Sequence, residues 1–157
     1  MGFEDLPDDW PDRPLTEPQL LADVLDLTVS QRDRVQGAIG VLVCDADQRL
    51  LVPAVIGELD DVAPDADRSE GLSNFVSAVV DGMGPEAGPL GLHFSIARRY
   101  GLSITPDDVR WRDAAVAACA SRVSLLGVHL VTVEGSRLVP GRWPLPASGG
   151  GSLADAS

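Results

Sequence analysis

The chain has 157 residues, of which 45% are hydrophobic, and a net charge of −12 at pH 7, values that fit one globular domain with a sizeable core. No apolar run reaches the roughly 20 residues of a membrane-spanning helix, and the acidic N-terminus does not resemble a signal peptide, so we expect a cytoplasmic protein without membrane association. The acidic balance opposes nucleic-acid binding through phosphate contacts, and the absence of lysine excludes Schiff-base and P-loop chemistry.

Residues 1–15 are rich in proline and acidic side chains, which predicts an extended arm ahead of the main domain. Thr16 and Gln19 then form a capping-box pattern, in which the threonine side chain accepts a hydrogen bond from the backbone of the first helical turn. Apolar residues at helical spacing follow this pattern, so we expect a helix from about residue 17 to 30, fraying into the charged residues that follow.

Two apolar segments, 38–44 and 49–56, flank the turn-forming stretch DADQ. Both segments are short, and the first is continuously apolar and rich in β-branched residues, so together they predict a β-hairpin. Pro53 places the second strand at a sheet edge or at a bulge, because proline has no backbone N–H to donate to a neighbouring strand.

The second half of the chain alternates helices and strands. Apolar residues spaced by three and four between positions 72 and 80 predict an amphipathic helix, and segment 90–97 predicts a strand. Thr105, followed by proline and two aspartates, is typical of a helix N-cap, and we expect its helix to run from 106 to about 122. Further strands are expected at 125–133 and 137–139.

The resulting order α-β-β-α-β-α-β-β predicts an α/β fold, a three-layer-like sandwich in which helices flank a mixed β-sheet. We expect a single domain over residues 16–142 and a flexible tail, rich in proline, glycine and serine, over 143–157. Trp10 and Trp143 lie in the flanking segments, where each packs either onto its own domain or onto a partner, including a second copy of the chain.

Three short motifs follow one another along the chain with the spacing of a known family. VLVCD begins at Val41, TPDD at Thr105 and LLGVH at Leu125. In this order the sequence resembles the JAB/MPN domain, especially its RadC-like branch, over about residues 37–139. The resemblance implies a metallohydrolase scaffold in which two histidines of a His-x-His-Pro loop and the aspartate of a Ser-x-x-Asp helix start hold zinc, and an upstream glutamate acts as the base.

The ligands of such a zinc site are missing from this sequence. The family's spacing, counted back from Asp108, places the two histidines at Ser95 and Ala97 and the glutamate near Gly37. Serine and alanine side chains do not replace imidazole ligands of zinc. The resemblance therefore implies a degenerate member of the family, with no metal and no cofactor, in which Asp108 is kept for its place in the first helical turn.

Arginines cluster between the end of the 90–97 strand and the start of the following helix. In layered α/β folds, ligands bind at the carboxyl ends of strands, where helix N-termini also point, and guanidinium groups there suit an anion or an acidic peptide. The alternative is that these arginines form surface ion pairs with Asp107, Asp108 and Asp113. The candidate binding residues are Arg98, Arg99, Thr105, Asp108, Arg110 and Arg112.

The sequence thus favours a binding or regulatory domain rather than a catalyst, with a small anion or another protein as its ligand. In this interpretation His93 and His129, both within apolar strands, are hydrogen-bonded core or surface histidines rather than metal ligands. One alternative is a divergent metal-dependent hydrolase that recruits His93, Asp108 and a carboxylate such as Glu58. Another is an acidic regulatory partner of a basic protein, because residues 1–36 carry nine acidic side chains and three arginines.

Overall fold

The computed structural model describes residues 6–58, 65–120 and 122–145. None of the helices in these three ranges is both long enough and apolar enough to cross a membrane. The helices are α1 (Pro18–Thr28), α2 (Gln31–Gln36), α3 (Asp65–Met83) and α4 (Pro106–Cys119), and the strands are β1 (Ala38–Cys44), β2 (Leu50–Glu58), β3 (Gly91–Ala97), β4 (Ser124–Thr132) and β5 (Gly135–Leu138).

The five strands form one mixed sheet in the order β2-β1-β3-β4-β5. β3 and β4 are parallel and are joined through α4, whereas every other neighbouring pair is antiparallel. The predicted α/β class with a mixed sheet is confirmed. β2 pairs only with β1, so Pro53 lies on an edge strand, as its missing N–H requires.

Helices cover both faces of the sheet. Side chains such as Val41 and Phe94 pack on one face with α3 and α4, whereas Leu42 packs on the other face with Val24 and Leu25 of α1. β1 and β3 are buried along their whole length because both of their faces are covered. The layers are therefore α1, the sheet, and the α3–α4 pair.

The expected capping box at the start of the first helix does not form. Glu17, not Thr16, is the N-cap of α1 and makes no side-chain capping bond, while the Gln19 side chain donates to Asp23 instead (2.9 Å). The helix also ends earlier than predicted. Ser30 begins the separate helix α2, because its Oγ accepts a hydrogen bond from the backbone N–H of Asp33 (3.0 Å) and so starts a new turn.

The segments flanking the predicted domain contribute to its packing. Trp10 begins a short 3₁₀ helix and packs, with the fully buried Leu15, against the α1 face of the sheet. Trp143 donates its indole N–H to the Val139 carbonyl (2.7 Å), and Leu145 exchanges two backbone hydrogen bonds with Leu125 (2.7 Å each). The packed region therefore extends beyond the predicted limits of 16 and 142, whereas residues 1–5 and 146–157 lie outside the described chain.

Candidate functional site

A cleft of about 540 Å³ opens at the carboxyl end of β3, between the end of α2 and the start of α4. We call it the arginine cleft, since four of its ten lining residues are arginines. Two aspartates from the first turn of α4 also line it. The lining residues are Arg34, Val35, Gln36, Gly37, Ile96, Arg98, Arg99, Asp107, Asp108 and Arg110.

Thr105 fixes the start of α4 at one wall of this cleft. Its Oγ1 accepts from the backbone N–H of Asp108 (3.2 Å), and the Asp108 carboxylate accepts in return from the backbone N–H of Thr105 (2.8 Å). This reciprocal arrangement is a capping box, and it satisfies two backbone donors that a helix start otherwise leaves unpaired. The N-cap predicted at Thr105 is therefore confirmed.

Arg98 and Asp108 form an ion pair in the cleft, with 2.6 Å between Nη1 and Oδ1. Arg98 also donates from Nη2 to the Ser103 carbonyl (2.8 Å), which holds the loop after β3 against the guanidinium. Because Asp108 is 0% exposed and its other oxygen accepts from Thr105, both oxygens of this carboxylate are engaged.

Arg34 reaches the cleft from α2 and is 3% exposed. Its Nη2 donates both to the backbone carbonyl and to the carboxylate of Asp26 (3.1 Å each), so its charge has a partner. Its Nε is buried and has no hydrogen-bond acceptor among the described residues. A buried donor without an acceptor is costly, and this one lies in a residue that lines the cleft.

The remaining charges leave the described part of the cleft positive. Asp107 pairs with Arg68, at 2.6 Å between Nη1 and Oδ1, and Asp108 pairs with Arg98. Arg99 and Arg110 are both exposed and form no ion pair with any described carboxylate. Two guanidinium charges therefore remain uncompensated on a chain whose net charge is −12.

Arg112, the sixth candidate residue, does not line the arginine cleft. Its guanidinium donates to the Pro140 carbonyl (3.0 Å) and pairs with Asp113 (3.0 Å). Residues two positions apart on a helix face different directions, so Arg110 and Arg112 of α4 diverge. For Arg98 and Arg112, the predicted alternative of ion pairing with neighbouring aspartates is what the structure contains.

The cleft residues do not fit a zinc site of the kind that the sequence resemblance implies. Gly37 and Asp108 line the cleft, but Ser95 and Ala97 do not, because alternation along β3 turns them toward the α1 face. Both oxygens of the Asp108 carboxylate already accept a hydrogen bond, one from a guanidinium and one from a backbone N–H. Among the described residues, no three histidine, cysteine, aspartate or glutamate side chains converge to hold a metal ion.

His93 and His129 form a buried pair on the α1 face of the sheet, with 3.0 Å between Nδ1 of His93 and Nε2 of His129. They are 3% and 5% exposed. Burial lowers the pKa of His93 to about 4, and burial together with the neighbouring ring lowers the pKa of His129 to about 3, so both imidazoles are neutral at pH 7. The sequence predicted hydrogen-bonded core or surface histidines, and in the structure both are buried and hydrogen-bonded to each other.

The hydrolase alternative required His93 and Asp108 to act together with a carboxylate such as Glu58. His93 lines a cavity under α1, whereas Asp108 lines the arginine cleft, and no residue lines both spaces. Glu58 is the last residue of β2, and its side chain is outside the described part of the structure. His93 and Asp108 thus do not share a site in this fold.

Sequence reasoning missed the contribution of Arg34 to the cleft, because Arg34 is 64 positions from Arg98 and only the sheet topology brings α2 next to the end of β3. It also missed that His93 and His129 contact each other. The only available signal was that both histidines lie within predicted strands, and strand pairing is not encoded locally.

Comparison with known proteins identifies no relative on which a function could be based: no protein-family model matches the chain, and neither the curated proteins nor the solved structures contain a match.

Proposed function

We propose that this protein is a binding domain, not a hydrolase, and that it holds an anionic group, either a small anion or an acidic segment of a partner, in the arginine cleft. The observation that carries the proposal is that Arg99 and Arg110, which pair with no described carboxylate, line one cleft with Arg34, whose buried Nε has no acceptor among the described residues. Guanidinium groups bind phosphate and carboxylate oxygens with charge-assisted hydrogen bonds.

The proposal includes a degenerate JAB/MPN-type scaffold. The family's functional residues map onto four positions of this chain, and two of them, Gly37 and Asp108, line the same cleft. This shared location supports the scaffold assignment. At Asp108 the neighbouring cation is the guanidinium of Arg98, which occupies the carboxylate that a metal ion would otherwise use.

The proposal places the protein in the cytoplasm. Cys44 and Cys119 are both free and buried, which is the usual state of cysteines in a reducing compartment.

A titration with sodium phosphate and sodium pyrophosphate, followed by ¹H–¹⁵N NMR at constant ionic strength, tests the proposal. We expect saturable shifts at backbone amides around Gly37, Arg98 and Arg110. The double substitution Arg99→Gln/Arg110→Gln should abolish saturation, whereas Arg13→Gln/Arg142→Gln removes the same charge from exposed arginines outside the cleft and should not. Shifts that do not saturate, or saturable shifts that survive the first double substitution, would contradict the proposal.

A further inference from the structure

A second cavity, of about 480 Å³, lies between α1 and the sheet and has no lining residue in common with the arginine cleft. We call it the histidine cavity, because His93 and His129 line it. Its walls are largely apolar and include Leu21, Leu126 and Trp143. Its volume lies within the usual range for small-molecule sites, and an apolar pocket with a few convergent polar groups is the usual form of such a site.

The two histidines present complementary hydrogen-bonding atoms whichever tautomers they adopt. One proton lies between Nδ1 of His93 and Nε2 of His129. If His129 provides that proton, Nε2 of His93 is an N–H donor and Nδ1 of His129 is a bare acceptor; if His93 provides it, the two roles are exchanged. The neutral pair therefore always offers one donor and one acceptor at its outer nitrogens.

Nε2 of His93 is buried and has no hydrogen-bond partner among the described residues. Buried polar atoms are rarely left in this state, because an unmade hydrogen bond costs stability. The atom belongs to a residue that lines the cavity, so a polar group bound against this residue would supply the missing partner.

Gly127 makes room for the two rings. A bulge in β4 sets Gly127 opposite His93, and a Cβ atom at this position would lie 3.0 Å from Nε2 of His129 and 3.4 Å from Nδ1 of His93. A side chain here would press on Nε2 of His129 and touch Nδ1 of His93, the two atoms of the hydrogen bond between the rings. The bulge and the glycine thus keep the histidine pair intact at the cavity wall.

The chemistry of the walls restricts the charge of a ligand. Among the described residues that line the cavity, Arg137 is the only charged one, and it is exposed and donates to the Leu102 carbonyl (3.0 Å). A carboxylate ligand would lose its hydration on entering the cavity and would gain no buried cation as a partner. Binding of such a ligand is therefore unfavourable. A hydroxyl both donates and accepts, so it matches the histidine pair in either tautomeric state.

We propose that the histidine cavity binds an uncharged small molecule with an apolar body and a hydroxyl head group, and that the hydroxyl is hydrogen-bonded to the His93–His129 pair. The apolar body contacts the leucine and tryptophan walls. This site is independent of the arginine cleft and needs no metal.

Three probes of matched size test this proposal with the full chain: 4-propylphenol, propylbenzene and 4-propylbenzoate, each titrated by isothermal calorimetry. We expect 4-propylphenol to bind at least about tenfold more tightly than propylbenzene, which corresponds to one well-made hydrogen bond. It should also bind more tightly than 4-propylbenzoate at pH 7. In NMR spectra, saturation should shift the imidazole nitrogens of both histidines.

Equal affinity for the phenol and the hydrocarbon, tightest binding of the benzoate, or no saturable binding of any probe would each overturn the proposal. Gly127→Ala should reduce the preference for the phenol, and Gly71→Ala, at a position with nothing within 4 Å of the added Cβ, is its matched control. If Gly127→Ala does not fold, Ala22→Phe provides the test, because Ala22 lines the cavity from α1 and a phenyl ring there would fill it. Undiminished phenol binding by Ala22→Phe would contradict binding in this cavity.

Discussion

Arg98 and Asp108 form a 2.6 Å ion pair that joins the residue after β3 to the first turn of α4. The pair unites three features of the arginine cleft: the end of a central strand, the capping box of a helix and a carboxylate with no solvent exposure. Since the guanidinium compensates a buried charge, the pair is a structural element as well as part of the cleft surface.

Replacing Arg98 with methionine should therefore destabilise the protein. The substitution leaves the buried Asp108 carboxylate without its cation, and we expect the free energy of unfolding to fall by about 2–4 kcal/mol. Urea denaturation at pH 7 measures this change. Arg98→Met/Asp108→Asn leaves no unpaired charge and should recover part of the loss; a double variant as unstable as the sum of the two single variants would show that the pair does not couple.

The Thr105 cap makes a separate contribution to stability. Thr105→Ala removes the side-chain acceptor for the Asp108 N–H, and we expect a loss of about 1 kcal/mol in the free energy of unfolding. Thr105→Ser keeps an equivalent oxygen and is the matched control. Thermal or urea unfolding of the two variants gives the comparison, and equal stabilities would indicate that the capping bond contributes nothing.

The histidine pair should make stability depend on pH in mildly acidic solution. The pKa values of His93 and His129 are lowered in the folded protein to about 4 and about 3, whereas the unfolded chain has the ordinary value near 6.5. Below pH 6.5 the unfolded state therefore binds more protons, and stability falls as the pH decreases toward 4. Each histidine adds a slope of up to about 1.4 kcal/mol per pH unit.

Urea unfolding between pH 7 and pH 5 measures this slope before most carboxylates titrate. NMR titration of the imidazole C–H signals of the folded protein gives the two pKa values directly. Signals that titrate near pH 6.5 in the folded state would show that the pair is accessible to protons, and no slope from these groups would then be expected.

Cys44 and Cys119 should be unreactive in the folded protein. Burial is the main cause that raises the pKa of each thiol to about 12, so neither forms the reactive thiolate at pH 8. We expect a thiol-specific disulfide reagent to modify both within minutes in 6 M guanidinium chloride and far more slowly in buffer. Rapid modification in buffer would mean that one of the two segments opens frequently.

Local patterns determined much of the fold. The continuous apolar run of β1 matches its predicted limits, 38–44, because a strand buried on both faces needs apolar residues throughout. The α4 start was predictable as well, since Thr105 and the residues after it form their hydrogen bonds within four positions. The first helix was less predictable, because Thr16 and Ser30 both suit an N-cap and only Ser30 makes the bond.

The candidate sites were only partly predictable. Arg98, Arg99, Asp108 and Arg110 do line one cleft, since a strand end and the following helix start are close both in sequence and in space. Arg112 does not line this cleft, because it lies two positions beyond Arg110 on the helix and its side chain points in another direction.

The sequence by itself therefore determined the α/β class, the strands that are buried and the cationic loop after β3, because all three depend on residue types within a few positions of one another. Only the tertiary structure decided that β3 and β4 pair in parallel with a bulge at Gly127, and this pairing places two distant histidines 3.0 Å apart. It also decided that Arg34 of α2 lines the arginine cleft. Strand pairing and helix docking follow from the burial of apolar surface across the whole chain, so no short segment encodes them.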